Sequence, residues 1–464
     1  MKVLFLNPPG RRVYIRDYYC SKVSQANYIS HPMDFVIMSA RLRHENCDVT
    51  LVDAIAEGLS PVDTLRRIGE TGPDVIVALA GAVSWDEDRK FFECLKSKQS
   101  VRLIVSGDLF QQDAGTAMED CDFLDGVVLD FTTPDIGRCV MGTSDPLEGI
   151  IQRVDGSLVG AKPADADNGK EFVLKTPPMH ALFQRVHYRY PFTLSKRYCS
   201  VLTEYGCPFH CTFCIMGKLK AKRRPVDDVL SELEEILSLD VREVFFVDQT
   251  FASGRERSVR LLSAMIERRM GLRWFGFSRV DVLDENLLAL MKEAGCHTLI
   301  LGIESGSDEI LAKYRKGYDR AMVVATVRLC ARMGIRTVGT FILGLPEETK
   351  KTIGETLRLL KSLPLDYASF NVAVPRAGTD LRREAVSLGL ASSDQVRMDQ
   401  SGSEVAMPTR HLTREQVTCF RRQAVKEFYL RPTYLLKRLV SVGSFYQLLR
   451  SIENGVALLR NTWR

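Results

Sequence analysis

A chain of 464 residues, 45% hydrophobic and 26% charged, has the make-up of ordinary globular protein and the length for two or three domains with sizeable cores. A net charge of +5 is too small on this length to point to a nucleic-acid partner. No apolar stretch reaches the length of a membrane span, and the run from Met1 to Leu6 is too short before Pro8 and Pro9 for a signal peptide, so a cytoplasmic protein with reduced thiols is expected.

Residues 1–140 alternate short apolar runs with helical patterns. Lys2–Asn7, Asp48–Asp53, Asp74–Leu79, Arg102–Ser106 and Gly126–Asp130 are near-continuous runs of β-branched residues and leucine, as in strands buried on both faces of a parallel sheet. Helical patterns such as Asp34–Glu45 and Asp86–Lys96 lie between them. The expectation is an α/β domain of the doubly wound, Rossmann-like kind. Its ligand would sit at the carboxyl ends of the strands, which read Asn7-Pro8-Pro9-Gly10, Gly81–Ser84 and Ser106-Gly107-Asp108-Leu109.

Residues 141–195 lack periodicity, are rich in Gly, Pro and Asp, notably over Gly160–Gly169, and read as a linker. Over residues 196–395 strand and helix alternate. Strands are expected at Tyr198–Glu204, Glu243–Asp248, Leu272–Phe277, Thr298–Ile303, Arg336–Leu343 and Tyr367–Val374. The helices between are Val226–Leu237, Arg255–Arg268, Glu285–Ala294, Arg320–Met333 and Lys350–Leu360. This spells a partial (β/α)6 barrel, with functional groups at the carboxyl ends of its strands. Residues 396–464 read as a helical, basic C-terminal region. From Arg421 to Arg464 basic residues far outnumber Glu427 and Glu453, and Phe428, Leu435, Leu436, Leu439, Phe445, Tyr446, Leu448 and Leu449 recur at helical spacing. Either a cap packs on the barrel with its basic face in water, or a basic amphipathic helix makes peripheral contact with an anionic membrane.

Cys207, Cys211 and Cys214 have the spacing C-x3-C-x2-C, which says most about function. Three thiolates can hold three irons of a [4Fe–4S] cubane, leaving the fourth open to a ligand. A structural zinc site wants four ligands, usually as two separated pairs; no second C-x2-C pair is present, and His210 lies inside the loop beside Cys211. The other cysteines are scattered singly among apolar stretches, as small buried hydrophobes rather than a disulfide framework.

This loop, with Phe213 just before its last cysteine, resembles the signature of the radical S-adenosylmethionine (SAM) superfamily. The resemblance implies that the open iron chelates the amino and carboxylate groups of SAM. One electron, from a reductant protein such as flavodoxin or ferredoxin, then cleaves SAM to a 5′-deoxyadenosyl radical. The likeness extends to the strand ends Asp248–Phe251, Ser278–Asp281, Gly302–Gly306 and Gly339–Glu347. It implies that Phe213, Asp248, Gly302, Glu304, Ser305, Gly344 and Pro346 bind SAM. The residue chemistry suits that role, since a carboxylate such as Glu304 accepts hydrogen bonds from a ribose or an ammonium, and glycines let the backbone approach a ligand. Asp and Glu at strand ends are also common helix caps. Arg279 and Asp281 read equally well as an internal salt bridge or as ligand contacts.

Residues 1–140 are similar to the cobalamin-binding domain that precedes the radical core in B12-dependent radical SAM enzymes. The likeness rests on the opening strand ending in Asn7-Pro8-Pro9 and on Val52-Asp53 at the end of the next. It implies cobalamin contacts at Asn7, Pro8, Pro9, Gly10, Gly81, Ser84, Gly107 and Asp108. No Asp-x-His-x-x-Gly motif is present, so no histidine is expected below cobalt. Ser106–Phe110 and Leu129–Thr132 stand where relatives show Gly-Gly-Pro-His and Gly-Glu-Gly-Glu, and a cofactor-free α/β domain is the alternative. Nearly the whole chain, most specifically Tyr198–Pro346 and only loosely the tail, is similar to the group containing the anaerobic magnesium-protoporphyrin ester cyclase and hopanoid-biosynthesis proteins. The function this implies is cobalamin-dependent C-methylation of an unactivated carbon in a small molecule, which the amphipathic tail suggests is large and apolar. A cyclase or rearrangement enzyme using cobalamin differently or not at all is an alternative, and so is a non-catalytic metal-binding protein. Sulfide content separates the last from the others.

Overall fold

The apolar runs of the first 130 residues are the strands of one sheet in the computed structural model, which describes residues 1–441, 449, 452–458 and 460, apart from 27, 112–113, 162–169, 220 and 396–397. The chain divides into two units, one of Met1–Ser24 and Ile29–Arg189 and the other of Gln25–Tyr28 and Tyr190–Arg464. In the first unit β1 (Lys2–Asn7), β2 (Asp48–Asp53), β3 (Val75–Leu79), β4 (Arg102–Ser106) and β5 (Gly126–Val128) run parallel in the order β2-β1-β3-β4-β5. Every residue of β3, and all of β1 but Lys2, is buried, as a sheet covered on both faces requires. Helices α1 (Met33–His44), α2 (Pro61–Thr71) and α3 (Trp85–Lys98) lie between these strands in the chain. Helix α2 shows how local sequence sets its limits: Ser60 Oγ accepts from Asp63 N at 3.1 Å, Pro61 takes the first position, and Gly72 ends it at φ +56°.

Part of the stretch that reads as a linker is folded instead. Strands β6 (Ile150–Val154) and β7 (Ser157–Ala161) continue the sheet antiparallel beyond β5. Their two-residue turn, Asp155-Gly156, has φ +47° and +82°, the left-handed pair that a tight hairpin needs. A strand-like run followed by Asp-Gly is a hairpin signal, which the surrounding Gly, Pro and Asp content obscured.

In the second unit β8 (Cys199–Val201), β9 (Glu243–Phe246), β10 (Arg273–Ser278), β11 (Cys296–Glu304), β12 (Arg336–Leu343) and β13 (Tyr367–Val372) form one all-parallel sheet in chain order. The helices α4 (Val226–Ser238), α5 (Arg255–Glu267), α6 (Glu285–Glu293), α7 (Arg320–Arg332) and α8 (Lys350–Ser362) alternate with them, making the partial (β/α)6 barrel. Alternate strand residues such as Phe246, Trp274, Leu301 and Phe341 join Leu233, Leu262, Leu288, Val327 and Leu360 from the helices in one core. Each such side chain contributes about 1.5–3 kcal/mol on burial. On the other face Phe245 stacks on Phe275 with centroids 4.4 Å apart.

The C-terminal region begins as a cap. Helix α9 (Arg414–Tyr429) opens with a reciprocal Thr413–Gln416 capping box and buries Val417, Ala424, Val425 and Phe428 in the barrel's core. A further helix covers Pro432–Ser441, with Leu435 and Leu436 exposed. Phe445, Tyr446 and Leu448 of the amphipathic stripe lie outside the described residues. Among the described residues no helix is long and apolar enough to cross a membrane.

Candidate active site

The cysteine loop leaves the carboxyl end of β8, and a buried polar frame fixes its base. Asp248, just past β9, accepts from Thr203 N and Oγ1, both at 2.6 Å, and from Glu204 N at 3.0 Å. The fully buried Arg224 donates to Leu202 O at 2.9 Å and pairs with Asp228 and Glu232. Arg257 donates to Arg224 O at 2.6 Å. Glu204–Tyr205 then pairs antiparallel with Lys222–Arg223, so the loop between is stapled at both ends. Each of these backbone groups is remote from water and needs such a partner.

Within the loop Cys211 is buried while Cys207 and Cys214 are partly exposed. Cys214 N donates to Cys211 O at 3.1 Å, and Thr212 bridges Tyr314 O and Leu381 N at 3.3 and 3.0 Å. Gly217 holds the turn close: a Cβ there would lie 2.3 Å from Phe209 O. Cys207 Sγ is 3.8 Å from Thr250 Oγ1. Burial pushes the Cys207 thiol up and the Cys214 thiol up to about 12, so binding a metal there displaces a proton. Among the described residues no three His, Cys, Asp or Glu side chains are gathered about a single ion position. A cluster does not ask for that, because each thiolate meets a different iron. Three thiols on one short loop beside two cations are a donor set that fits a [4Fe–4S] cluster.

The two cations are Arg279, following β10, and Lys316. Arg279 Nε and Nη2 bind both oxygens of Asp281, at 2.9 and 2.7 Å, while Nη1 reaches Cys211 Sγ at 3.3 Å. The salt bridge between Arg279 and Asp281 is therefore formed. Lys316 Nζ meets Glu304 Oε1 at 3.0 Å. Burial opposes the charge on Lys316, but Glu304 outweighs it and holds the ammonium above its ordinary range. Glu304 adopts φ +63°, in the left-handed region, where the β11–β12 register slips between Gly302 and Glu304. Such strain at a strand end costs about 1–3 kcal/mol and aims the carboxylate at Lys316. Gly302 makes room for the pair, since a Cβ there would meet Glu304 Oε1 at 2.5 Å and Lys316 Nζ at 3.1 Å.

The residues expected at SAM thus fall into two sets. Phe213, Gly302 and Glu304 surround Lys316, whose ammonium is 5.8 Å from the Phe213 ring. Phe213 also packs with Tyr314 and Leu345, and Tyr314 Oη accepts from Glu347 N at 3.1 Å, bringing in the Gly344–Pro346 turn. That turn is held by Glu348, whose Oε2 accepts from Gly344 N at 2.6 Å and Leu345 N at 3.2 Å. Ser305 turns to Thr356, with the two hydroxyls 3.2 Å apart, and Asp248 is engaged at the base of the loop. Burial, with the Glu204 charge adding to it, pushes Asp248 up to about 6. Sequence reading missed Lys316, Gly217 and Glu348; the only local signal for the first is Lys316-Gly317-Tyr318, with Tyr318 Oη donating to Gly302 O.

In the first unit the residues expected at cobalamin gather at the carboxyl ends of β1, β3 and β4, but the chain itself engages them. The buried Arg16 donates to Asn7 Oδ1 at 2.8 Å, to Pro8 O at 2.9 Å and to Pro9 O at 3.4 Å, and pairs with Asp88. Ser84 Oγ donates to Asp88 at 2.7 Å, as does Gly81 N at 3.1 Å. Asp108 accepts from Ser21 N and Ala82 N at 2.7 and 2.9 Å. The glycines let the chain pack closely on itself: Cβ atoms on Gly10, Gly81 and Gly107 would strike Tyr14, Ser21 and Ala80 O at 2.5, 2.8 and 1.8 Å. Asn7 borders a cavity of about 20 Å³, room for about one water, with Tyr14, Arg16, Asp17, His31 and Leu79. The side chains of Asn7, Ser84 and Asp108, the Gly81 amide and the Pro8 and Pro9 carbonyls are thus bonded within the chain itself.

Residues 201–360 match the radical SAM superfamily model. They form a radical SAM domain. The chain is 27% identical over 451 residues to an uncharacterised methyltransferase of Pyrococcus horikoshii, covering 94% of each. It is 26% identical over 356 residues to the anaerobic magnesium-protoporphyrin IX monomethyl ester cyclase of Rubrivivax gelatinosus, covering 73% of this chain and 63% of that one. Among solved structures, the radical SAM methyltransferase TsrM from Kitasatospora setae, with cobalamin and a [4Fe–4S] cluster bound, shares the fold at TM-score 0.71 and 16% identity over 99% of both chains. The cobalamin-dependent radical SAM enzyme OxsB, with aqua-cobalamin and SAM bound, does so at TM-score 0.71 and 16% identity over 98% of this chain and 71% of that one. The fold is thus that of enzymes pairing an N-terminal α/β unit with a radical SAM barrel.

Proposed function

We propose that the chain is a radical SAM methyltransferase that uses a [4Fe–4S] cluster, SAM and cobalamin to methylate an unactivated carbon of a small molecule. The observation that carries this is the loop of Cys207, Cys211 and Cys214, stapled at the carboxyl end of a parallel barrel with Arg279 and Lys316 against it, inside a radical SAM domain. When bound, the cluster supplies the electron and the open iron for reductive cleavage of SAM to 5′-deoxyadenosine and methionine.

The chain's own residues bind and orient. Cys207, Cys211 and Cys214 hold the cluster, and Asp248 and Arg224 fix the backbone from which the loop springs. Gly302, Glu304 and Phe213 around Lys316, with the Gly344–Pro346 turn packed beside Phe213, face SAM, and the Lys316 ammonium is suited to the methionine carboxylate. Cobalamin enters through the likeness to TsrM, and no residue of the first unit is assigned to it.

The test is anaerobic purification of the full chain from cells supplied with cobalamin. About four iron and four sulfide per chain, a retained corrinoid, and 5′-deoxyadenosine on reduction with SAM support the reading. Zinc without sulfide overturns it, and an intact cluster with no corrinoid overturns methyl transfer through cobalamin. The likeness to the ester cyclase carries a second reading, ring closure or rearrangement. SAM with a deuterated methyl group separates the two, because only methylation leaves the label in the product.

A further inference from the structure

Arg279 has more partners than an ion pair needs. Its guanidinium is gripped along one edge by Asp281, and Nη2 also donates to Lys316 O. The plane lies over Phe209, Cζ 3.9 Å from the ring centroid, and Phe209 belongs to the cysteine loop between Cys207 and Cys211. The remaining nitrogen, Nη1, is 3.3 Å from Cys211 Sγ. The side chain is 6% exposed, so solvent and salt screen it little.

We propose that Arg279 is a positioning and tuning residue for the iron–sulfur cluster: it donates a fixed, charged hydrogen bond to the Cys211 thiolate and thereby raises the cluster's reduction potential. This rests on the reading above that Cys207, Cys211 and Cys214 hold a [4Fe–4S] cluster. Potentials of such clusters are set by net charge, hydrogen bonds to sulfur and exposure. Reduction adds one electron, and a cation anchored against a ligand sulfur favours the more negative state. Asp281 keeps the donor from turning away, and the stacked Phe209 ties the same group to the loop. Lysine cannot replace it, because one ammonium cannot grip both Asp281 oxygens, stack on a ring and still donate to sulfur.

The experiment is an EPR-monitored redox titration of the reconstituted full chain without SAM, for wild type, R279Q and R279K. R279Q with its iron and sulfide intact should be harder to reduce, its reduced-to-oxidised ratio at the wild-type midpoint at least tenfold lower, or about 59 mV for one electron. R279K, which keeps charge but not the fork, should fall between. An intact cluster with an unchanged potential in R279Q overturns the proposal. If R279Q cannot hold a cluster, wild type labelled with ¹⁵N-arginine decides: its reduced cluster should show a ¹⁵N hyperfine coupling absent from R279K, and no coupling in wild type overturns the assignment. Wild type lacking iron and sulfide would instead overturn the cluster reading itself.

Discussion

Removing Glu304 alone should cost more stability than removing it together with Lys316. Their charged atoms are 3.0 Å apart on side chains 11% and 6% exposed, so neither ion is well hydrated. Glu304→Ala strands an ammonium whose nearest aromatic faces, Tyr318 and Phe213, lie 5.4 and 5.8 Å away. Cation–π contacts at that range offset about 0.5–2 kcal/mol, against about 3–5 kcal/mol for breaking a buried pair. The net expectation is a loss of about 3 kcal/mol for Glu304→Ala and of less than about 2 kcal/mol for Glu304→Ala/Lys316→Met, in which no charge is left buried. Glu304→Gly should be milder than Glu304→Ala by about 1 kcal/mol, since glycine accepts φ +63° without strain. Urea unfolding of the metal-free chain, followed by fluorescence of the buried Trp274, reads this as a midpoint lowered by about 1 M at an m-value of about 3 kcal/mol/M. A single variant within about 0.5 kcal/mol of wild type, or a double variant as costly as the two singles added, would refute the argument.

Burial holds Glu348 up at about 7, against an ordinary value of 4.5. The native state then keeps a proton that the unfolded chain has released, so stability should fall as pH rises from about 4.5 to 7. Glu348→Gln should make that slope shallower in urea midpoints between pH 5 and pH 8, with Asp248 accounting for part of what remains, and an unchanged slope would count against it. Gly217→Ala drives a Cβ to 2.3 Å from a backbone oxygen of the cysteine loop and should lower the iron retained on reconstitution while leaving circular dichroism unchanged; full iron would contradict the close approach. Asp248→Asn replaces an acceptor of three hydrogen bonds by a group that is half donor, costing about 1–3 kcal/mol for each donor left bare, and should weaken both stability and cluster retention. Wild-type stability and iron content in that variant would show the frame to be dispensable.

The fold was legible because its signal is local. β1, β2, β4 and β12 end where their β-branched runs end, and α7 and α8 start where the pattern predicts. The hairpin of β6 and β7 was not, because its two short runs sit among residues whose composition speaks for a loop. The cysteine loop and the strand-end residues were legible as a pattern. Their partners were not: Arg279 and Cys211 are 68 residues apart, and nothing in either neighbourhood says that the guanidinium left over from Asp281 will find that sulfur.

Asp248 shows why residue chemistry alone misjudges such positions. A carboxylate at the end of a buried strand is costly without partners, and the argument from cost favours a ligand as the partner. In the folded chain the partners are Thr203 and Glu204, 45 and 44 residues earlier, and the carboxylate orients the backbone that leads to Cys207. The same holds in the first unit, where Arg16 meets the carbonyls of Pro8 and Pro9 and Tyr14 fills the space beside Gly10. In both units polar groups at a strand end find partners elsewhere in the chain, earlier than Asp248 in the one and after Pro9 in the other. A residue can therefore stand in the right place for cofactor chemistry and act one step removed, by holding the backbone on which the contacting groups are carried.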